Sequence, residues 1–145
     1  MSKVLDILYK KESGGDLKKV DYIEVSKENG IIGDYHGKSK TAQITLLSKK
    51  DWENANSEIG SDLNWEARRS NLLINEIDLK NSIGKLLKIG EDVVLEITGE
   101  CKPCTLMEKT KKGLFKALEK DWRGGAEAVV IRNGQIKKGD SVFFL

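Results

Sequence analysis

The chain is poor in the residues that build disulfide frameworks and multi-histidine metal sites. Its 145 residues include 2 cysteines, 1 histidine and 1 proline. Two cysteines cannot form the disulfide framework of a small secreted domain, and one histidine excludes metal sites made of several histidines. Because the chain has 14 glycines against one proline, we expect glycine to make the turns, which suits a strand-rich fold.

Long apolar runs and an excess of one charge are also missing. No stretch approaches the roughly 18 apolar residues that cross a bilayer, and the N-terminus has no signal-peptide core. We therefore expect a cytoplasmic protein that does not enter a membrane. The 25 basic residues nearly balance the 23 acidic ones, so the overall charge does not favour a nucleic-acid partner.

Length and composition favour one folded domain over residues 1–145. Hydrophobic residues make up 39% of the chain, and a chain of this length buries enough surface to fold without a metal, a disulfide or a cofactor.

The hydrophobic pattern predicts many short strands and few helices. Apolar residues alternate in Val4–Tyr9 and in Val93–Thr98, which indicates strands, and they recur at helical spacing over residues 113–122. The pair Asn133-Gly134 between apolar runs indicates a hairpin. Further predicted elements are strands at Val20–Val25, Gln43–Leu47 and Ser141–Leu145 and a helix capped by Ser48. Since the order is not a regular βαβ repeat, we expect a β-barrel with helical insertions.

The motif Cys101–Cys104 (CKPC) directly follows the predicted strand at Val93–Thr98. Thr105 followed by Glu108 is a capping-box pattern, so a helix should open there and favour the thiolate form of Cys104. We expect Cys104 to be partly accessible to solvent and to act as a nucleophile, a sulfur carrier or a metal ligand. A cysteine that only fills space is the alternative. A zinc site lacks two ligands, and a thioredoxin-type pair lacks its βαβ unit.

Two further groups of residues are candidates for binding an anion. Arg68 and Arg69 with Asn71 can offer forked donors to a phosphate, although two solvated arginines look the same in sequence. Arg123 with Gly124 can form an anion-binding nest or only the end of a helix.

His36 lies in the glycine-punctuated loop Gly33–Gly37. It can act as an acid, a base or an anion contact. A plain turn capped by Asp34 is the interpretation that the residue types favour.

The order and spacing of these segments resemble the MOSC domain family, which is named for the C-terminal part of molybdenum cofactor sulfurases. The similar segments are Gly33–His36, Arg69–Leu72, Leu95–Gly99, Lys102–Cys104, Arg123–Gly125 and Gly139–Val142. The resemblance implies a mainly β (α+β) fold with short helices, built as a closed mixed-strand β-barrel. It also places Cys104 at the family's marker cysteine, with Cys101 in a supporting role at most.

The function implied by the resemblance is a molybdenum-cofactor-binding or sulfur-carrier module that uses a thiolate or persulfide at Cys104, which would also be the metal ligand. The residues then expected to bind molybdopterin are Arg68, Arg69, Asn71, Lys102, Arg123, Gly124 and His36. The expected partner is molybdopterin or a sulfur donor or acceptor protein. Pyridoxal phosphate would belong to a separate sulfurase domain for which 145 residues leave no room.

Two other functions stay open at this point. One is a non-catalytic interaction or regulatory barrel associated with cofactor biosynthesis. The other is a small molybdenum-dependent reductase of N-hydroxylated compounds, which rests on family analogy alone. The sequence does not decide between an enzyme and a binding module.

Overall fold

A computed structural model describes residues 1–145 in full. The strands are β1 (Val4–Tyr9), β2 (Lys18–Val20), β3 (Tyr22–Ser26), β4 (Gly30–Ile31), β5 (Ile44–Ser48), β6 (Leu72–Ile74), β7 (Leu86–Ile89), β8 (Val93–Glu100), β9 (Ala126–Arg132), β10 (Gly134–Lys137) and β11 (Val142–Phe144). The α-helices are α1 (Lys49–Glu58), α2 (Thr105–Thr110) and α3 (Leu114–Glu119), with 3₁₀ turns at Trp65–Arg68 and Lys120–Trp122. The prediction of a mainly β fold with short helices is confirmed.

The strands form two sheets. The larger sheet has eight strands in the order β11-β7-β8-β9-β5-β6-β1-β2, and the smaller has three in the order β10-β3-β4. Only β5 and β6 run parallel, so the larger sheet is mixed.

The prediction of a closed barrel is wrong. The larger sheet ends at β2 on one side and β11 on the other, and neither end strand pairs with the other. One isolated bridge, between Lys3 and Ser141, is the only strand-like pairing near the gap. Each end strand is three residues long and pairs on one side only, β2 with β1 and β11 with β7.

The predicted hairpin at Asn133-Gly134 is also wrong. β9 pairs with β8 and β5 in the larger sheet, whereas β10 pairs with β3 in the smaller one. The Asn-Gly step therefore carries the chain from one sheet to the other. Local turn chemistry indicated a sharp change of direction, and only the tertiary packing decides which strand the next segment meets.

Two apolar clusters hold the elements together. A cluster of 20 buried residues joins the inner faces of both sheets, and it includes Val93, Leu95 and Ile97, the face predicted from the alternation in β8. A second cluster of 10 buried residues packs the helices against the outer face of the larger sheet.

Helix ends follow local chemistry where the sequence supplies it. The Ser48 side chain accepts a hydrogen bond from the Asp51 N–H at the start of α1, as predicted. The helix predicted for residues 113–122 is regular only to Glu119, because Asp121 and Trp122 adopt left-handed φ angles of 51° and 58°. None of the helices has the length and apolar character to cross a membrane.

Candidate functional site

Cys104 lies where β8 has ended and α2 begins. β8 runs on to Glu100, and Cys104 is the exposed residue that precedes the first helical residue, Thr105. The prediction of an accessible thiol at the end of this strand, followed by a helix opening at Thr105, is confirmed. The Cys104 side chain makes no capping hydrogen bond, so its sulfur is free of internal partners.

The predicted capping box is displaced by one residue. The residue in the capping position of α2 is Cys104 rather than Thr105. The carboxylate of Glu108 accepts hydrogen bonds from the N–H groups of Gly113 at 3.0 Å and Phe115 at 3.3 Å. Glu108 therefore joins α2 to α3 instead of closing the first turn of α2.

Cys101 differs from Cys104 in its surroundings. It is half-buried, its N–H donates to the Gly125 carbonyl at 2.9 Å, and its Sγ lies 3.5 Å from Nη2 of Arg68. Burial raises the pKa of the Cys101 thiol, and the Arg68 guanidinium opposes that shift. Cys101 is therefore the less exposed thiol of the two.

Both cysteines are free thiols that differ in exposure. The segment between them contains no turn or bend, and its Pro103 is buried.

The Arg68 side chain connects its own 3₁₀ turn to the segments around Cys101 and Gly124. It is 8% exposed. Its Nε donates to the Gly124 carbonyl at 3.0 Å, and its Nη2 donates to the Cys101 carbonyl at 2.8 Å. Buried arginine donors with good carbonyl acceptors are strong structural contacts, so this guanidinium is engaged within the protein.

Gly124 has no room for a side chain. A Cβ there would lie 2.7 Å from the Cys101 carbonyl oxygen and 3.1 Å from Nη2 of Arg68. The glycine therefore allows the loop after α3 to approach the Cys101 segment. Arg68, Cys101 and Gly124, which the sequence offered as separate candidates, form one contact.

Asn71 and Arg69 also bind within the chain. The Asn71 side chain accepts from the Thr45 N–H at 2.9 Å and donates to the Leu8 carbonyl at 3.0 Å, which connects three strands. Arg69 has a left-handed φ of 64°, and its Nη2 donates to the Gly15 carbonyl at 2.8 Å. Nε and Nη1 of Arg69 make no hydrogen bond within the protein.

Arg123 pairs with Glu58 of α1 at 2.8 Å and donates to the Ala117 carbonyl at 3.3 Å. Hydrogen bonds from Arg123 and Lys120 hold the pKa of Glu58 below its ordinary value. The Arg123 guanidinium is thus engaged with α1 and α3.

The His36 loop has the turn that its residue types favoured. The Asp34 carboxylate accepts from the N–H groups of Lys10 and His36, each at 3.0 Å. The His36 ring is exposed and packs edge-on against Tyr35 with ring centroids 4.8 Å apart. Burial and the nearby Arg69 lower the pKa of Lys10, and Asp34 opposes them. Lys10 is thus a partly buried cation that the sequence did not single out.

A shallow cleft of about 300 Å³ borders the cysteine segment. Its lining residues are Glu100, Lys102, Pro103, Phe115 and Glu119. Sequence analysis selected Lys102 but missed Phe115 and Glu119, because nothing in a helical sequence shows which residues face a loop. Lys102 and Cys104 are both exposed and lie on either side of the buried Pro103.

The fold has solved relatives. The YuaD protein from Bacillus subtilis superposes with a TM-score of 0.79 at 18% identity, over 98% of this chain and 94% of that one. YiiM from Geobacillus stearothermophilus superposes at 0.75 with 16% identity, over 100% and 75% of the two chains. YiiM from Escherichia coli superposes at 0.71 with 15% identity, over 99% and 69%. At these identities the likeness concerns the fold alone.

Sequence comparison identifies the family directly. No curated protein matches the chain. The family model described as the MOSC domain matches residues 32–143, which include Cys104 and every other site residue predicted from the sequence. That match covers most of the chain, and it agrees with the solved folds. The chain therefore belongs to the MOSC domain family.

Proposed function

We propose that this chain is a sulfur-carrier module of molybdenum-cofactor metabolism, in which the Cys104 thiol carries the transferred sulfur. The MOSC domain family is associated with molybdenum cofactor binding or sulfur-related roles. The observation that carries the proposal is the contrast between the two thiols. Cys104 is exposed and has no internal partner, whereas Cys101 is half-buried and contacts Arg68.

A carrier thiol needs a firm support, and the contacts behind Cys104 supply one. The Cys101 N–H and carbonyl are bonded to Gly125 and Arg68, and Pro103 is buried. The residues just before Cys104 are therefore held in place, which limits the orientations of the Cys104 thiol. Preorganisation of this kind favours attack on a partner that docks from solvent.

The proposed step is a sulfur transfer between thiols. The Cys104 thiolate attacks the terminal sulfur of a donor persulfide, R–S–SH. The donor S–S bond breaks, a new S–S bond forms on Cys104, and R–S⁻ takes up the proton that Cys104 gave up. The products are the Cys104 persulfide and R–SH, with no external oxidant.

The residues fit a bound molybdenum cofactor only at the thiol. Soft sulfur suits a soft metal centre, but an anionic pterin also needs cations with free donors. Arg68 and Arg123, together with the Asn71 amide, are engaged in protein hydrogen bonds. These three predicted anion contacts are therefore not available to the cofactor, and we route no step through it.

Mass spectrometry of the intact native protein tests the carrier role. After incubation with inorganic polysulfide and removal of the excess, we expect the wild type to gain one sulfur atom. Cys104→Ala should gain none, and the matched control Cys101→Ala should still gain one. Equal sulfur loading of Cys104→Ala and wild type would contradict the proposal.

Cofactor ligation by Cys104 is the second candidate. It is favoured by the unpartnered donors of Arg69 and by the exposed Lys102, which remain available to an anion. Metal analysis of protein expressed with molybdate distinguishes it. Stoichiometric molybdenum that is lost in Cys104→Ala would favour ligation over sulfur carriage.

A further inference from the structure

A second cleft lies far along the chain from Cys104. It has a volume of about 480 Å³, and its walls include Tyr9, Val20, Tyr22 and Ile32. This volume is within the usual range for ligand sites. It shares no residue with the segment 101–104, and apart from Ile32 it is built from residues that precede the family match at 32–143.

The cleft exists because the chain leaves the edge of β3 early. The Ile32 N–H donates to the Glu24 carbonyl at 2.9 Å, which is the last bond between β3 and the segment that continues β4. Beyond it, the Asp34 carboxylate accepts from the Lys10 N–H, and the Tyr35 N–H donates to the Lys10 carbonyl. These bonds draw the chain toward the end of β1 and leave the first part of β3 uncovered.

Tyr22 exposes unpaired backbone groups at this uncovered edge. β10 lies on the other side of β3, and the Lys138 N–H donates to the Asp21 carbonyl there. Backbone groups of successive residues in an antiparallel strand point to opposite sides, so those of Tyr22 point toward the cleft. Tyr22 stands opposite Lys137 of β10, next to the hydrogen-bonded step at Asp21, so its N–H and C=O turn away from β10. No hydrogen bond from a turn or a loop reaches them. An open donor and acceptor on one residue form a template for another strand.

The side chains around this edge are apolar below and acidic at the rim. Tyr22 is 59% exposed and Ile32 is 53% exposed. Asp21 and Glu24 supply two exposed carboxylates, and no basic residue lines the cleft. The chain as a whole has a net charge of +2, so this local excess of negative charge favours a basic partner.

We infer that this cleft binds an extended peptide segment in which apolar and basic side chains alternate. The peptide adds a short strand beside Tyr22 and pairs with its free N–H and C=O. Alternate side chains of a strand point to opposite faces. The apolar side chains pack against the walls at Tyr9 and Val20. The basic side chains approach the exposed carboxylates of Asp21 and Glu24, which lie on opposite faces of the β3 segment. Strand addition of this kind draws affinity from backbone bonds and specificity from the alternating side chains.

Fluorescence anisotropy with a labelled peptide Lys-Val-Lys-Val-Lys tests the inference. We expect saturable binding that weakens by about tenfold or more in Tyr22→Ser and in Glu24→Lys. Both residues are exposed, so these variants should stay folded, as circular dichroism will show. Phe143→Ser is the matched control, because Phe143 is a 48% exposed aromatic residue on β11, another edge strand. Its affinity should equal that of the wild type.

Two further measurements test strand addition itself. Amide hydrogen exchange at Tyr22 should slow when the peptide binds, and a peptide N-methylated along its backbone should lose binding. The acidic analogue Glu-Val-Glu-Val-Glu should not bind. The inference is overturned by the absence of saturation, by equal binding of the N-methylated peptide, or by equal weakening in Phe143→Ser. These outcomes are independent of sulfur loading at Cys104.

Discussion

Nη2 of Arg68 donates to the Cys101 carbonyl at 2.8 Å and lies 3.5 Å from the Cys101 sulfur. One buried guanidinium therefore fixes the backbone of the CKPC segment and also opposes the burial that raises the pKa of the Cys101 thiol. The exposed Cys104, three residues on, is held in place by a contact that it does not itself make.

Replacing Arg68 should destabilise the protein more than replacing an exposed arginine. Arg68→Met leaves the carbonyls of Cys101 and Gly124 without a donor in a buried setting. We expect a loss of about 2–4 kcal/mol in the free energy of unfolding, measured by urea denaturation. The control is Arg132→Met, at an exposed position, which should change stability by about 0.5 kcal/mol or less. Equal effects of the two substitutions would show that the Arg68 hydrogen bonds make no net contribution to the free energy of unfolding.

Gly124→Ala should displace the loop after α3. Its new Cβ would meet the Cys101 carbonyl oxygen at 2.7 Å, and relief of that clash should cost about 1–3 kcal/mol. Gly99→Ala is the matched control, because its Cβ finds no atom nearer than 3.9 Å. Thermal denaturation of both variants measures the difference. A melting temperature for Gly124→Ala at or above that of Gly99→Ala would contradict the close approach.

The two thiols should react at different rates with iodoacetamide. Only the thiolate attacks, and burial raises the pKa of Cys101, so its alkylation should set in at higher pH than that of an ordinary thiol. Cys104 is exposed and should be modified first near neutral pH. Peptide mass mapping over a pH series measures both rates, and the rates should converge in urea, where burial is lost. Faster modification of Cys101 than of Cys104 in the native protein would contradict the choice of Cys104 as the functional thiol.

Asp51 should make stability depend on pH. Burial raises its pKa from 3.8 to about 6, with Asp78 and Asp121 adding to the shift and Arg123 opposing it. The folded state therefore retains the proton that the unfolded state releases. The contribution of protonated Asp51 to the free energy of unfolding is fully present below the pKa that Asp51 has in the unfolded chain. This contribution is lost as the pH rises toward about 6.

Asp51→Asn tests this relationship. The variant should remain more stable than the wild type above pH 6, and the difference should shrink as pH falls toward 4, near the unfolded pKa. Urea midpoints across that range measure it. Asp62→Asn, at an exposed carboxylate, is the control and should track the wild type. If the urea midpoints of Asp51→Asn and the wild type differ by the same amount at every pH, the Asp51 carboxyl does not titrate in this range.

Local patterns predicted elements well where one face of an element is buried. The alternation in Val4–Tyr9 matches β1, and Val93, Leu95 and Ile97 share the core face of β8. Ser48 caps α1 through its own side chain. In each case the signal lies within a few consecutive residues, so the sequence alone determines it.

The candidate site was predictable only in part. The order of strand, CKPC and helix is local, and it was sufficient to predict an exposed Cys104 before a helix that begins at Thr105. Whether an arginine side chain is bonded within the protein depends on acceptor oxygens that lie far along the chain. Arg68 finds its acceptors at Cys101 and Gly124, and Arg123 finds Glu58.

The sequence by itself thus determined the strand-rich class, the MOSC family pattern and the position of an accessible thiol at the end of a strand. Only the tertiary structure decided that the larger sheet stays open, that Asn133-Gly134 links two sheets, and which charged groups are engaged within the protein. The reason is physical. Periodicity and capping act within a few residues, whereas sheet closure and arginine pairing depend on partners that are brought together only when distant segments pack.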